Sequence, residues 1–136
     1  MTLLFLWPAD VSAQSAKPEE VKFCDLLRDA ARYDGRLVKT NALYSRAIDV
    51  DSLSSKDCPS TLKERHTADP IMGRAFDRNG KSARMLSKLL KKGVTAEVTI
   101  TGTVHAQLGQ EHGYYQVPVQ IEIGEVDDVK PATNPQ

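Results

Sequence analysis

The residues of this chain best equipped for chemistry are three histidines, two cysteines and a cluster of lysines and arginines. His66, His105 and His112 are the imidazoles. A zinc or copper site needs three or four such ligands to converge, and nothing in their spacing imposes convergence. No metal and no cofactor is expected. Cys24 and Cys58 stand in no Cys-x-x-Cys pair and beside no histidine, so neither reads as a redox or nucleophilic thiol. Gly73, then Gly80-Lys81-Ser82, is similar to a phosphate-binding loop, but that loop needs four residues between its glycines and this chain has six. It reads instead as an Asn79-Gly80 turn opening a helix. Arg78, Lys81, Arg84, Lys88, Lys91 and Lys92 place six of the 18 basic residues together. At helical spacing Lys81, Arg84, Lys88 and Lys91 share one face. That face is either an anion-binding ridge or a solvated surface, with Glu122, Glu125, Asp127 and Asp128 the acids available to neutralise it. The solvated surface is the plainer reading. No Ser-His-Asp set and no paired carboxylates can be assembled from the sequence.

Bulk composition narrows the function classes. A chain of 136 residues makes one domain. Lys plus Arg (18) equals Asp plus Glu (18), so there is no net charge to steer nucleic acid, and that partner is not expected. Hydrophobic residues at 40% and charged residues at 26% fit a globular domain with a core. No apolar run approaches the roughly 20 residues that span a bilayer.

The N-terminus carries the compartment. Leu3 to Trp7 is apolar, and Val11-Ser12-Ala13 offers small residues where a signal peptidase cuts. The apolar run is short and no Lys or Arg precedes it, so residues 1–13 read as the back half of a signal peptide that starts upstream of Met1. The expected location is exported, periplasmic or extracellular. In that setting an even pair of cysteines in a small domain is expected to form one disulfide, Cys24–Cys58.

The remaining residues are assigned to elements by periodicity. Residues 14–20 are a polar lead-in, Val21 to Cys24 a short strand, and Asp25 to Tyr33 a helix capped by Asp25 and ended by Asp34-Gly35. Leu37 to Tyr44 is a strand whose alternation breaks, which predicts a bulge near Asn41. Ala47 to Leu53 alternates, with Ile48 and Val50 opposite Asp49 and Asp51. One more strand falls in Thr61 to Thr67 or in Ile71 to Phe76. Ala83, Leu86 and Leu90 mark a helix ended by Gly93. Val94 to Ala106 and Tyr115 to Gly124 alternate strictly and form a hairpin across Leu108 to Gly113. Pro118 gives the last strand an edge. Residues 127–136 read as a flexible tail, and residues 21–126 as the domain.

Three strands, a helix and two more strands is the element order of an OB-like five-stranded barrel, mainly β, with its helix between strands 3 and 4. An α+β antiparallel sheet with helices on one face is the alternative. Cys24-Asp25-Leu26, then Tyr33-Asp34-Gly35-Arg36-Leu37-Val38, then Cys58-Pro59 resembles a group of small exported bacterial proteins. These open with Cys-[Asp/Glu]-Leu, followed by Tyr-x-Gly-[Lys/Arg]-x-Val and a second cysteine. The resemblance implies an OB-like fold and an exported location, and carries no catalytic residues.

The function expected is a non-catalytic binding module, monomeric, for a protein or glycan partner in the cell envelope. Analogy with other OB-folds puts the ligand at the strand 1–2 and 4–5 loops and the strand 2–3 face, which here selects Tyr44, Arg46, Glu111, His112 and Tyr114. The alternatives are a small hydrolase-type enzyme with a dispersed site, or a structural envelope protein that uses the basic helix as its contact surface.

Overall fold

A computed structural model describes residues 17–48, 50–58, 67–106, 111–112, 115–116 and 119–132, with backbone alone at 111–112 and 115–116. Strand β1 is Glu19–Glu20, β2 Leu37–Ala47, β3 Val50–Ser54, β4 Thr67–Met72, β5 Ala96–Ala106 and β8 Val119–Pro131. A small ribbon, β6 (Glu111–His112) with β7 (Tyr115–Gln116), interrupts the β5–β8 connection. The helices are α1 Phe23–Arg28, α2 Ala30–Tyr33 and α3 Lys81–Lys91.

Five strands close on themselves in the order β2-β3-β4-β8-β5, with β5 returning to β2. β4 and β8 run parallel. The other neighbours in the ring are antiparallel. In chain order the ring reads first, second, third, fifth, fourth, with α3 between the third and fourth. That is an OB-like barrel, and closure through β2 and β5 replaces the open-sheet alternative.

The inward phase of β2 is Val38, Thr40, Ala42 and Tyr44, unbroken, so the bulge expected at Asn41 does not occur. Leu37 and Leu43 simply lie on the other face. The irregularities sit in the β5–β8 ladder, between Thr99 and Ile100 and between Thr101 and Gly102. Each shift adds a residue to β8, so Ile123, Val126 and Val129 all reach the core at a spacing of three rather than two. Gly102 sits at one shift, where an added Cβ would lie 2.5 Å from the Glu122 carbonyl oxygen.

The first helix was expected as one piece and is two. It begins at Phe23, inside the Val21 to Cys24 window assigned to a strand, which instead lies at Glu19–Glu20, and it breaks at Asp29 (φ −115°, ψ 40°). Asp25 lies in the first turn, paired with Arg28 at 3.2 Å, and does not cap. Phe23, Leu26, Leu27, Ala30 and Tyr33 enter the barrel core, so burial rather than capping holds this segment. Part of the expected lead-in is strand, since β1 pairs parallel with β2. The third barrel strand straddles the two windows proposed for it. The expected tail is strand as far as Pro131, because Asp128 to Pro131 complete the ladder opposite Ala96 to Thr99. Residues 1–16, Pro118 and 133–136 lie outside the described residues.

α3 meets its expectation. It buries Leu86 and Leu90, each worth about 2 kcal/mol, and packs on β8 and β5. Gly93 (φ 75°) follows the cap residue, with its N–H on the Leu90 carbonyl and that of Val94 on Leu89. Those two bonds satisfy carbonyls that the helix end leaves open. Cys24 and Cys58 are disulfide-bonded, Cα atoms 5.1 Å apart, tying α1 to the loop after β3.

Candidate functional site

The β2–β3 hairpin brings two of the five selected residues together. Register places Tyr44 opposite Leu53 and Arg46 opposite Asp51. Tyr44 and Leu53 both point into the barrel, and Asp51, two residues before Leu53, shares that phase at the barrel mouth. The Tyr44 hydroxyl donates to Asp51 Oδ2 at 2.7 Å. Arg46 donates from Nε to Oδ1 at 2.6 Å and from Nη2 to Oδ2 at 3.0 Å. One carboxylate thus collects a phenol and a two-pronged guanidinium.

The electrostatics follow from that geometry. The Arg46 hydrogen bonds hold the Asp51 carboxyl below its ordinary value, with the Tyr44 hydroxyl adding to the effect. Burial first, then the hydrogen bond to Asp51, pushes the Tyr44 phenol well above its usual range. The bond to Asp51 also raises Arg46. At neutral pH the cluster is a phenol, a carboxylate and a guanidinium, none of which exchanges a proton. It is a fixed polar surface rather than an acid–base pair.

Tyr44 is 1% exposed, so its ring belongs to the core and its role at the mouth is to hold Asp51. Arg46 remains at the surface. Beyond it the hairpin turns through Ile48, a β-branched residue at φ 50° that is 91% exposed, followed on β3 by Val50 at 52%. The sequence alternation had put Ile48 and Val50 on one face of a continuous strand; both lie in solvent because the chain reverses at Ile48. Glu111 and His112 lie in β6, paired with Gln116 and Tyr115 of β7. Their side chains, and Tyr114 altogether, lie outside the described residues.

Asp51 is the member that sequence reading passed over. Its signal was an acid five positions after Arg46 across a hairpin turn, visible only once the register is known. A second polar pair stands on the outer wall, where His105 Nε2 lies 3.0 Å from Glu122 Oε1. Alongside it Gln120 Nε2 donates to Asp69 Oδ2 at 3.5 Å. Among the described residues no group of three or more His, Cys, Asp or Glu side chains is placed to hold a metal. His66 lies outside the described residues. In the glycine-flanked stretch the Asp77 carboxylate accepts the Asn79 N–H and the Asp77 carbonyl the Gly80 N–H, forming a turn that opens α3.

A hollow of about 730 Å³ lies between α1, β2 and the loop after β3, bordered by Cys24, Arg28, Lys39, Asn41 and Asp57. Of the selected residues whose side chains are described, neither Tyr44 nor Arg46 lines it. The chain matches no protein-family model and no curated protein. By fold the protein is a disulfide-tied OB-like barrel with a charged cluster at one hairpin.

Proposed function

We propose that this protein is an exported, monomeric, non-catalytic binding module of the cell envelope, which holds a protein partner at the β2–β3 end of its barrel. The observation that carries this reading is the turn at Ile48. An isoleucine and a valine stand in water beside an arginine already fixed on Asp51. Large apolar side chains ringed by pre-positioned polar groups are what a protein interface buries; a hydrophilic glycan gains little from them. Ile48 also occupies a backbone region unfavourable to β-branched residues, a cost tolerated where a side chain is displayed for use.

Export is supported by the Cys24–Cys58 bridge, by the small residues Val11-Ser12-Ala13 and by the motif resemblance. The non-catalytic reading is supported by the locked protonation states of Tyr44 and Asp51. Glu111, His112 and Tyr114, in the loop that joins the fourth and fifth barrel strands, extend the surface by OB analogy.

A photo-crosslinking amino acid at position 48, in cells exporting the protein, tests the assignment. The expected product is one discrete protein adduct, absent when the probe is at Lys56 and reduced by Arg46→Ala or by His112→Ala with Tyr114→Ala. Adducts equal in pattern at 48 and 56 would refute the surface. Retention of the purified domain on a glycan with no protein adduct would refute the partner class.

A further inference from the structure

We propose that the outward face of α3 is a membrane-docking surface, which lays the protein on a bilayer containing anionic phospholipid. Lys81, Arg84, Lys88, Lys91 and Lys92 are all exposed, and at about 100° per residue they fall within an arc of roughly 100°. Arg78 extends the same charge one turn before the helix. The opposite side of α3 buries Leu86 and Leu90, so the cationic side is turned outward by the fold itself.

Among the described residues these cations are not spent on internal ion pairs. The acids available to neutralise them are engaged elsewhere or stand apart. Glu122 pairs with His105, Asp127 accepts the Thr101 hydroxyl, and Glu97 faces Lys130. Asp77, Glu125 and Asp127 share a hollow with Lys81, Ser82 and Ala83 at the first turn of α3. Even there, none of the six basic side chains forms an ion pair with an acid among the described residues. Between Asp77 and Glu97 the sequence contains no acid. A molecule of zero net charge therefore keeps six like charges together on one side, and they attract a surface rather than a point charge.

Met85 narrows the partner. It is 43% exposed and borders the cationic arc, about 20° beyond Lys92 around the helix. An apolar, flexible side chain among cations matches the boundary between headgroups and acyl chains, where lysines meet phosphate and a methionine can enter. A polyanionic strand would instead be tracked by a groove with cations on both walls. Here they stand on one side of one helix about 16 Å long.

Co-sedimentation with vesicles tests this directly. Vesicles of phosphatidylcholine containing roughly 30% phosphatidylglycerol should carry the protein down, and pure phosphatidylcholine vesicles should not. Binding should weaken with added salt. Arg84→Gln and Lys88→Gln should each weaken binding about fivefold, and Lys88→Arg should leave it intact. Met85→Ser should weaken binding while keeping its salt dependence. All three positions are exposed, so an unchanged thermal unfolding midpoint confirms that the fold survives. Equal binding to both vesicle types, no binding to either, or retention on heparin without vesicle binding would overturn the proposal. So would an equal loss from Lys39→Gln and Lys56→Gln, since that would report net charge rather than this face.

Discussion

Asp51 shows how one carboxylate organises a barrel mouth. Its folded-state pKa lies below the ordinary value because Arg46, then Tyr44, bond to its charged form. A depressed carboxyl contributes stability that is present above the unfolded pKa and lost as pH falls through the folded one. Stability should therefore decline below about pH 4, and Asp51→Asn should flatten part of that acid limb. Denaturant titrations of both proteins between pH 2 and pH 7, read at about half-unit steps, check this. Thr40 offers the opposite case. It is buried in the inner row of β2, and its hydroxyl has no hydrogen-bond partner among the described residues. Thr40→Val removes an unpaired polar atom at nearly constant volume, and is expected to stabilise the fold by about 1 kcal/mol. A shift of the denaturation midpoint to higher denaturant at unchanged slope measures it.

Among the elements, β8 departs most from its sequence pattern. Strict alternation carries Val119, Ile121 and Ile123 inward, after which two added residues reset the phase so that Val126 and Val129 also face the core. Gly102 on β5 allows this, since a side chain there would meet the backbone of Glu122 and not a flexible neighbour. Gly102→Ala is expected to cost about 3 kcal/mol, because the two strands must part to admit the methyl group. Gly124→Ala, with only the Thr101 carbonyl oxygen at 3.8 Å, should be nearly neutral and serves as the comparison. Thermal unfolding of the two variants separates local crowding from the general cost of replacing a glycine in this ladder.

Across the whole molecule the disulfide joins parts that the barrel alone leaves loosely connected. The bridge spans 34 positions and fixes α1 against the loop after β3, where the Ser55 hydroxyl accepts the Asp57 N–H. Closing a loop of that length is worth roughly 3–4 kcal/mol by restricting the unfolded chain. Cys24→Ala with Cys58→Ala should lower the melting temperature by about 10–20 °C. Thiol counting on denatured, unreduced protein should find no free thiol in the parent. If the double variant melts with the parent, the bridge is not a source of stability.

Much of this fold was legible from periodicity. The alternation of Val98, Ile100, Val104, Ile121 and Ile123, the helix of Leu86 and Leu90 ended by Gly93, and the element order of an OB-like barrel are local patterns. Each reflects a choice that a side chain makes between water and a neighbouring layer, and period alone records that choice. The pairing of Cys24 with Cys58 was legible for a different reason: two cysteines allow one bridge. Tertiary structure decided the rest. Tyr44 was chosen as a surface contact, yet its ring fills the barrel, because the inner face of β2 is set by ring closure with β5 and not by the residue's type. Asp51 joins Arg46 only through hairpin register, and β8 outruns its expected end only because Ala96 to Thr99 need a partner strand. Period identifies which residues share a face; only contacts between residues distant in sequence determine what that face meets.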